Sequence, residues 1–136
     1  MREIALDTQA ATAVAIVDDG SVIARAHNDS GRHHAESITP LVREALAAAG
    51  LPAQLAQAGI DRILVGTGPA PFTGLRAGLV SARVLAAVAG VPAYGVSALD
   101  VIARQGLDLL APDVRVYAIA DARRRELYWG SFVAAG

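Results

Sequence analysis

The chain has 136 residues, of which 54% are hydrophobic, and a formal net charge of -1. That apolar share supports one full core with an appendage, and the near-neutral charge excludes a broad basic surface able to capture nucleic acid unaided. Cysteine is absent and all 12 basic residues are arginine, which removes disulfides, thiolate nucleophiles, cysteine-based zinc sites, Schiff-base lysines and the lysine of a Walker A loop.

The start, Met1-Arg2-Glu3, runs directly into a strand-like segment with no apolar signal core, as expected of a mature amino terminus in a cytoplasmic protein. Residues 3–7 and 12–17 read as strands, and Asp18-Asp19-Gly20 supplies the positive-φ position for a tight reversal into a third strand over 21–27. Ile38, Leu41, Val42, Ala45 and Leu46 recur at helical spacing, with Gly50 as the stop. Pro40 removes a backbone donor, which predicts a kink or a helix start later than His34. Residues 60–67 form the next strand, followed by the loop Gly66-Thr67-Gly68-Pro69-Ala70-Pro71-Phe72-Thr73-Gly74. A second helix is expected over 73–89, capped by Thr73 and ended by Gly90 and Pro92, then a short strand over 92–96. Ser97 is expected to cap a third helix reaching about Gln105. The run 79–96 is interrupted by Arg83, Gly90, Pro92 and Gly95, a poor candidate for a membrane span.

Helices between parallel strands imply an α/β domain over 1–110 with a mixed five-stranded sheet in the order 3-2-1-4-5. Residues 114–120 and 126–133 read as a further hairpin around Asp121 to Arg125, without helices of its own. Residues 111–136 are therefore expected to open a second domain that is incomplete at Gly136.

Several residues invite a functional reading. Asp7-Thr8 ends the first strand, where a nucleotide-binding protein would follow with a glycine-containing phosphate turn. Gln9, Ala10 and Ala11 stand there instead, so the simpler reading is an Asp that fixes a turn through its side chain, with nucleotide or phosphate contact as the alternative. His33, His34 and Glu36 lack the spacing of metal ligands on a helix, and read as surface or cap residues. Ser81, Ser97 and Ser131 sit in no Gly-x-Ser-x-Gly elbow, leaving a serine hydrolase unsupported.

Gly74, Gly78, Ala82 and Ala86 follow one another at four-residue spacing, a stripe of very small side chains that lets another backbone approach. It packs either on the chain's own sheet or on another subunit, where the flanking Leu75, Leu79 and Leu85 would supply the buried area. Arg76 and Arg83 lie on roughly one side of that helix and suit interfacial ion pairs or a solvated rim. Arg123, Arg124 and Arg125 cluster with Asp121 in the hairpin turn, either simply exposed or in contact with RNA or an acidic partner.

Ile4-Ala5-Leu6-Asp7-Thr8, the loop and helix start from Gly66 to Gly78, Gly95-Val96-Ser97-Ala98-Leu99 and Asp121-Ala122-Arg123-Arg124, in that order, resemble the TsaB (YeaZ) family of the actin-like (ribonuclease H-like) superfamily. The middle run is the specific one, and it carries Ala70 and Pro71 where the family usually has glycine then serine. The resemblance implies a non-catalytic subunit that binds a TsaD-type catalytic chain and recruits a TsaE-type ATPase in forming threonylcarbamoyladenosine beside the tRNA anticodon. The chain would need no cofactor and no metal, would meet tRNA only within the complex, and would pair with itself when alone.

The resemblance favours the interface reading, with Gly74, Leu75, Arg76, Gly78, Leu79, Ala82 and Arg83 of the second helix joined by Ile38 and Leu41 of the first. Catalytic relatives resemble one another in an Asn-His-x-x-x-His metal motif after the fifth strand. Here Ser97, Ala98 and Ile102 stand at the three positions, and neither alanine nor isoleucine ligates a metal. The rival readings are a glycoprotease-like peptidase, which needs a metal pair or nucleophile and base that the sequence does not show, a nucleotide-dependent kinase fragment, and a self-associating structural module.

Overall fold

The computed structural model describes residues 1–30 and 33–134. β1 (Arg2–Asp7), β2 (Thr12–Asp18) and β3 (Ser21–Asn28) form an antiparallel meander. Its second turn places Asp19 and Gly20 at φ 47° and 81°, the two positive values a two-residue hairpin turn demands. α1 (His34–Ala48) crosses to β4 (Arg62–Gly66), and α2 (Phe72–Ala89) crosses to β5 (Ala93–Val96). Both later strands run parallel to β1, giving the order β3-β2-β1-β4-β5. A single 3₁₀ turn, Leu55–Gln57, sits between α1 and β4.

Alternation along the strands splits the sheet into two unlike faces. Ile4, Leu6, Val14, Ile16, Ile63 and Val65 point to one side and meet Ile38, Leu41, Val42, Ala45 and Leu46 of α1 and Ala82 and Ala86 of α2 in one continuous core. Arg2 pins the edge of this layer: Nε and Nη2 reach Asp18 Oδ2 at 3.1 and 2.7 Å, and Nη1 donates to the Ala58 carbonyl at 2.8 Å. The opposite side is a trough of 820 Å³ floored by Ala5, Ala13, Ala15 and Leu64, with Val101 and Ile102 of the third helix along its wall.

Helix boundaries depart from the sequence expectations in physically simple ways. α1 starts at His34 and runs through Pro40. Pro40 and Glu36, whose carbonyl loses its helical donor, are both exposed, where solvent is available to that carbonyl. Pro71, not Thr73, occupies the N-cap of α2, and Gly90 ends it at φ 70°. α2 is, among the described residues, long and apolar enough to cross a membrane by length and composition, while its Gly78, Ala82 and Ala86 lie buried on the chain's own sheet.

Ser97 does occupy the N-cap of α3 (Ala98–Leu109), although its side chain makes no capping bond. α3 continues a full turn past Gln105 because it has a surface to lie on. β6 (Val116–Arg123) and β7 (Glu126–Phe132) form the further hairpin, and the bare Gly106 brings α3 close enough that an added Cβ would sit 3.2 Å from Val116 Cγ1. The hairpin is thus covered on one side, contrary to the expectation that no helix attends it. Ala103 and Ala118 are both buried in this contact region.

The two sides of α2 differ in their tolerance. Ala82→Leu should destabilise the chain by about 1–3 kcal/mol through overpacking. Val84→Ala, on the outer side, should stay within about 0.5 kcal/mol. Urea unfolding of the two variants checks the assignment, and equal effects would contradict it.

Candidate partner interface

Thr8 follows β1 directly and is buried. Its hydroxyl donates to the Gly74 carbonyl and accepts the Gly78 N–H at 3.1 Å, so one side-chain oxygen bridges two successive turns of α2. The helix comes this close only because both positions lack a side chain: a Cβ on Gly78 would stand 2.5 Å from Thr8 Oγ1, and one on Gly74 would stand 2.7 Å from the Thr8 carbonyl oxygen. A second link lies alongside. Buried Thr12 Oγ1 meets His34 Nδ1 at 2.7 Å, and the far edge of that ring faces Gly74. Nothing in the sequence spacing marks His34 as a packing link, because its partner is the first residue of β2, 22 positions earlier.

These contacts bear on two residues singled out in the sequence. Thr8 is turned inward with its hydroxyl committed, so it does not face a ligand. Asp7 turns its carboxylate onto the chain just after it: Oδ1 accepts the Gln9 N–H at 2.9 Å and Oδ2 accepts Gln9 Nε2 at 2.8 Å. Its carboxylate rests against Gly66, where any Cβ would lie 2.1 Å from Oδ2.

The small-residue stripe is likewise committed inward. Gly78 and Ala82 are buried in the chain's own fold, as are Ile38 and Leu41 of α1, while Gly74, Leu75 and Leu79 are half-buried. Of the residues expected at an interface, Arg76 and Arg83 are the exposed ones. The free surface of α2 is the opposite stripe: Val80, Val84 and Val88 are 62%, 57% and 59% exposed, and exposed Phe72 lies under the Arg76 guanidinium, 4.6 Å from carbon to ring centroid. Three valines in water on one helix face form the kind of apolar patch that marks a contact surface. Their four-residue spacing stands in the sequence beside the glycine-alanine stripe, and spacing alone does not say which of the two stripes faces outward.

Elsewhere, Arg123, Arg124 and Arg125 sit together at the tip of β6–β7, all exposed and at φ 61°, 54° and 61°. His33 approaches Glu36 at 3.4 Å on the surface. Among the described residues, no three His, Cys, Asp or Glu side chains gather as a metal site. Ala98 and Ile102, at the positions of the catalytic relatives' histidines, line the trough.

A mixed sheet ordered β3-β2-β1-β4-β5, with its helices in the crossovers and a second hairpin after α3, defines a chain of the actin-like (ribonuclease H-like) class. Residues 23–136 match the family described as TsaD: tRNA N6-adenosine threonylcarbamoyltransferase. The chain is 37% identical over 134 residues to the tRNA threonylcarbamoyladenosine biosynthesis protein TsaB of Escherichia coli K12, covering 97% of itself and 55% of that relative. It is 46% identical over 101 residues to an uncharacterized protein of Mycobacterium tuberculosis, covering 74% of itself and 43% of the relative. YeaZ from Pseudomonas aeruginosa superposes with a TM-score of 0.83 at 32% identity, over 98% of this chain and 61% of that one. The chain belongs to the TsaD family, on its TsaB (YeaZ) branch. It spans about half the length of the curated relatives it matches.

Replacing Thr8 by Val should cost about 1–3 kcal/mol, because the buried Gly78 N–H and the part-buried Gly74 carbonyl lose their partner. Thr8→Ser should recover most of it. Urea unfolding with hydrogen exchange along α2 reads both; an undisturbed first turn of α2 in the valine variant would count against the clamp.

Proposed function

We propose that the chain is a non-catalytic subunit of the tRNA threonylcarbamoyladenosine machinery, acting in the cytoplasm by pairing with a TsaD-type catalytic chain. The observation that carries this reading is the valine stripe of α2, an apolar helix face left in water while the opposite face is fully used. An amphipathic helix surface of this kind fits a helix of a structurally related partner, valine rows interdigitating and Arg76 and Arg83 reaching carboxylates at the rim. The exposed side of α1, with Arg43 and Glu44, lies beside it and would complete a two-helix surface.

The chemistry belongs to the partner in this reading. Ala98 and Ile102 offer no donor atom where a catalytic relative would hold its metal, and no cofactor is required. The subunit's contribution is to stabilise the partner's active arrangement and to offer a docking place for a TsaE-type ATPase, with tRNA held by the assembled complex. Alone, the same valine face would pair with a second copy, since α2 against α2 buries the same side chains.

A Val80→Glu, Val84→Glu double variant tests the surface. Both positions are exposed, so the fold should survive, while co-purification with the TsaD-type chain from the same cell should drop by about a hundred-fold, two buried charges costing roughly 3 kcal/mol or more. Undiminished pairing would place the interface elsewhere. Appreciable tRNA modification by the isolated chain would refute the non-catalytic assignment.

A further inference from the structure

We propose that α2 selects its partner by charge, disfavouring a second copy of this chain and admitting a helix that carries two carboxylates about 10 Å apart, seven residues at 1.5 Å each. The inference rests on the reading that the outer face of α2 is the subunit interface, and it adds the chemistry which that interface selects.

α2 contains two charged residues, Arg76 and Arg83, and no carboxylate. Seven positions apart, they project within about 20° of each other around the helix axis, on one flank of the row formed by Val80, Val84 and Val88. Gly74 faces His34 at the start of α1, and it lies on nearly the opposite side of α2 from both arginines. The arginine flank is therefore turned away from α1 and from that helix's carboxylates, Glu36 and Glu44. Among the described residues neither guanidinium is paired with a carboxylate. α3, which leads to the hairpin, borders the trough on the other face of the sheet, across from this surface.

One of the two cations is also held in place. The Arg76 guanidinium lies over the ring of Phe72, one turn back along α2, with 4.6 Å from its carbon to the ring centroid. A guanidinium resting on a ring by its flat face keeps its N–H edge open to an incoming carboxylate. Its side chain then has less rotamer freedom left to lose on binding.

When α2 packs antiparallel on α2 of a second copy, the two-fold axis brings the arginine flanks to the same side. Four guanidinium groups then line one rim, and neither α2 helix supplies an acid to meet them. Like charges facing each other across an interface weaken it. A helix with the same apolar row but Asp or Glu at matching positions i and i+7 replaces that repulsion with ion pairs. The valines supply adhesion to either helix, and the arginines decide between them.

The R76E/R83E variant alters exposed side chains only, and its circular dichroism spectrum should match that of the unchanged chain. Sedimentation of each protein alone and of an equimolar mixture, with one of the two fluorescently labelled, compares self-pairing with mixed pairing. In about 0.05 M NaCl the mixed pair should be about ten-fold tighter than the unchanged chain's self-pair, and about 0.5 M NaCl should narrow that difference to about two-fold. Mixed pairing no tighter than self-pairing, or a difference indifferent to salt, would overturn the proposal. The purified TsaD-type chain from the same cell should bind the variant about a hundred-fold more weakly than the unchanged chain, two attractions having become two repulsions. Equal binding of both by that chain sinks the charge selection alone. Tight mixed pairing with no binding of the unchanged chain to the TsaD-type chain sinks the subunit reading and upholds the selection.

Discussion

The structure depends on how near α2 lies to the end of β1, and that distance is set by one hydroxyl group. Thr8 satisfies the Gly74 carbonyl and the Gly78 amide at once, which replaces two backbone groups' hydration with a single buried link and leaves no room for a β-carbon at either glycine. With the helix seated this tightly, its alanines complete the core and its valines have nowhere to go but outward. Internal packing and the external surface are therefore two results of the same contact, and the partner-binding reading inherits its geometry from Thr8.

The second layer of organisation is the division of labour between the sheet's faces. One is filled by α1 and α2, while the other is a shallow trough floored by alanine and walled in part by α3. α3 turns its Gly106 side to β6, so the same helix borders the trough and supports the hairpin that carries the arginine tip. The unlike chemistry of the surfaces follows from these commitments: apolar and helical at α2, basic and aromatic on β6–β7.

Much of this is legible in the sequence. The order of strands, the Asp19-Gly20 turn, the Gly90 stop and the core positions of α1 follow from periodicity and from residues with a single local preference. The direction faced by α2 does not. Phe72, Arg76, Val80, Val84 and Val88 recur every four residues, as do Gly74, Gly78, Ala82 and Ala86, and positions two apart project to nearly opposite sides of a helix. Spacing alone supports either stripe as the inner one. Size decides it, because only the stripe without bulk can meet the backbone at Thr8, a fact that belongs to the tertiary contact. His34 was opaque for the same reason, and the extra turn of α3 could not be foreseen without Val116 beneath Gly106.

The central place of β1 has a further consequence, for the order in which the molecule can assemble during synthesis. Its antiparallel neighbour, β2, leaves the ribosome almost at once, but the strand on its other side, β4, is translated only at Arg62–Gly66. Until then a nascent β-meander carries one unsatisfied ladder edge and an uncovered row of Ile4, Leu6, Val14 and Ile16. Parallel pairing across so long a loop is slow to close, and such an edge invites pairing with other chains. α1 is the first element able to cover the apolar row, which gives the helix a protective duty before the full sheet exists.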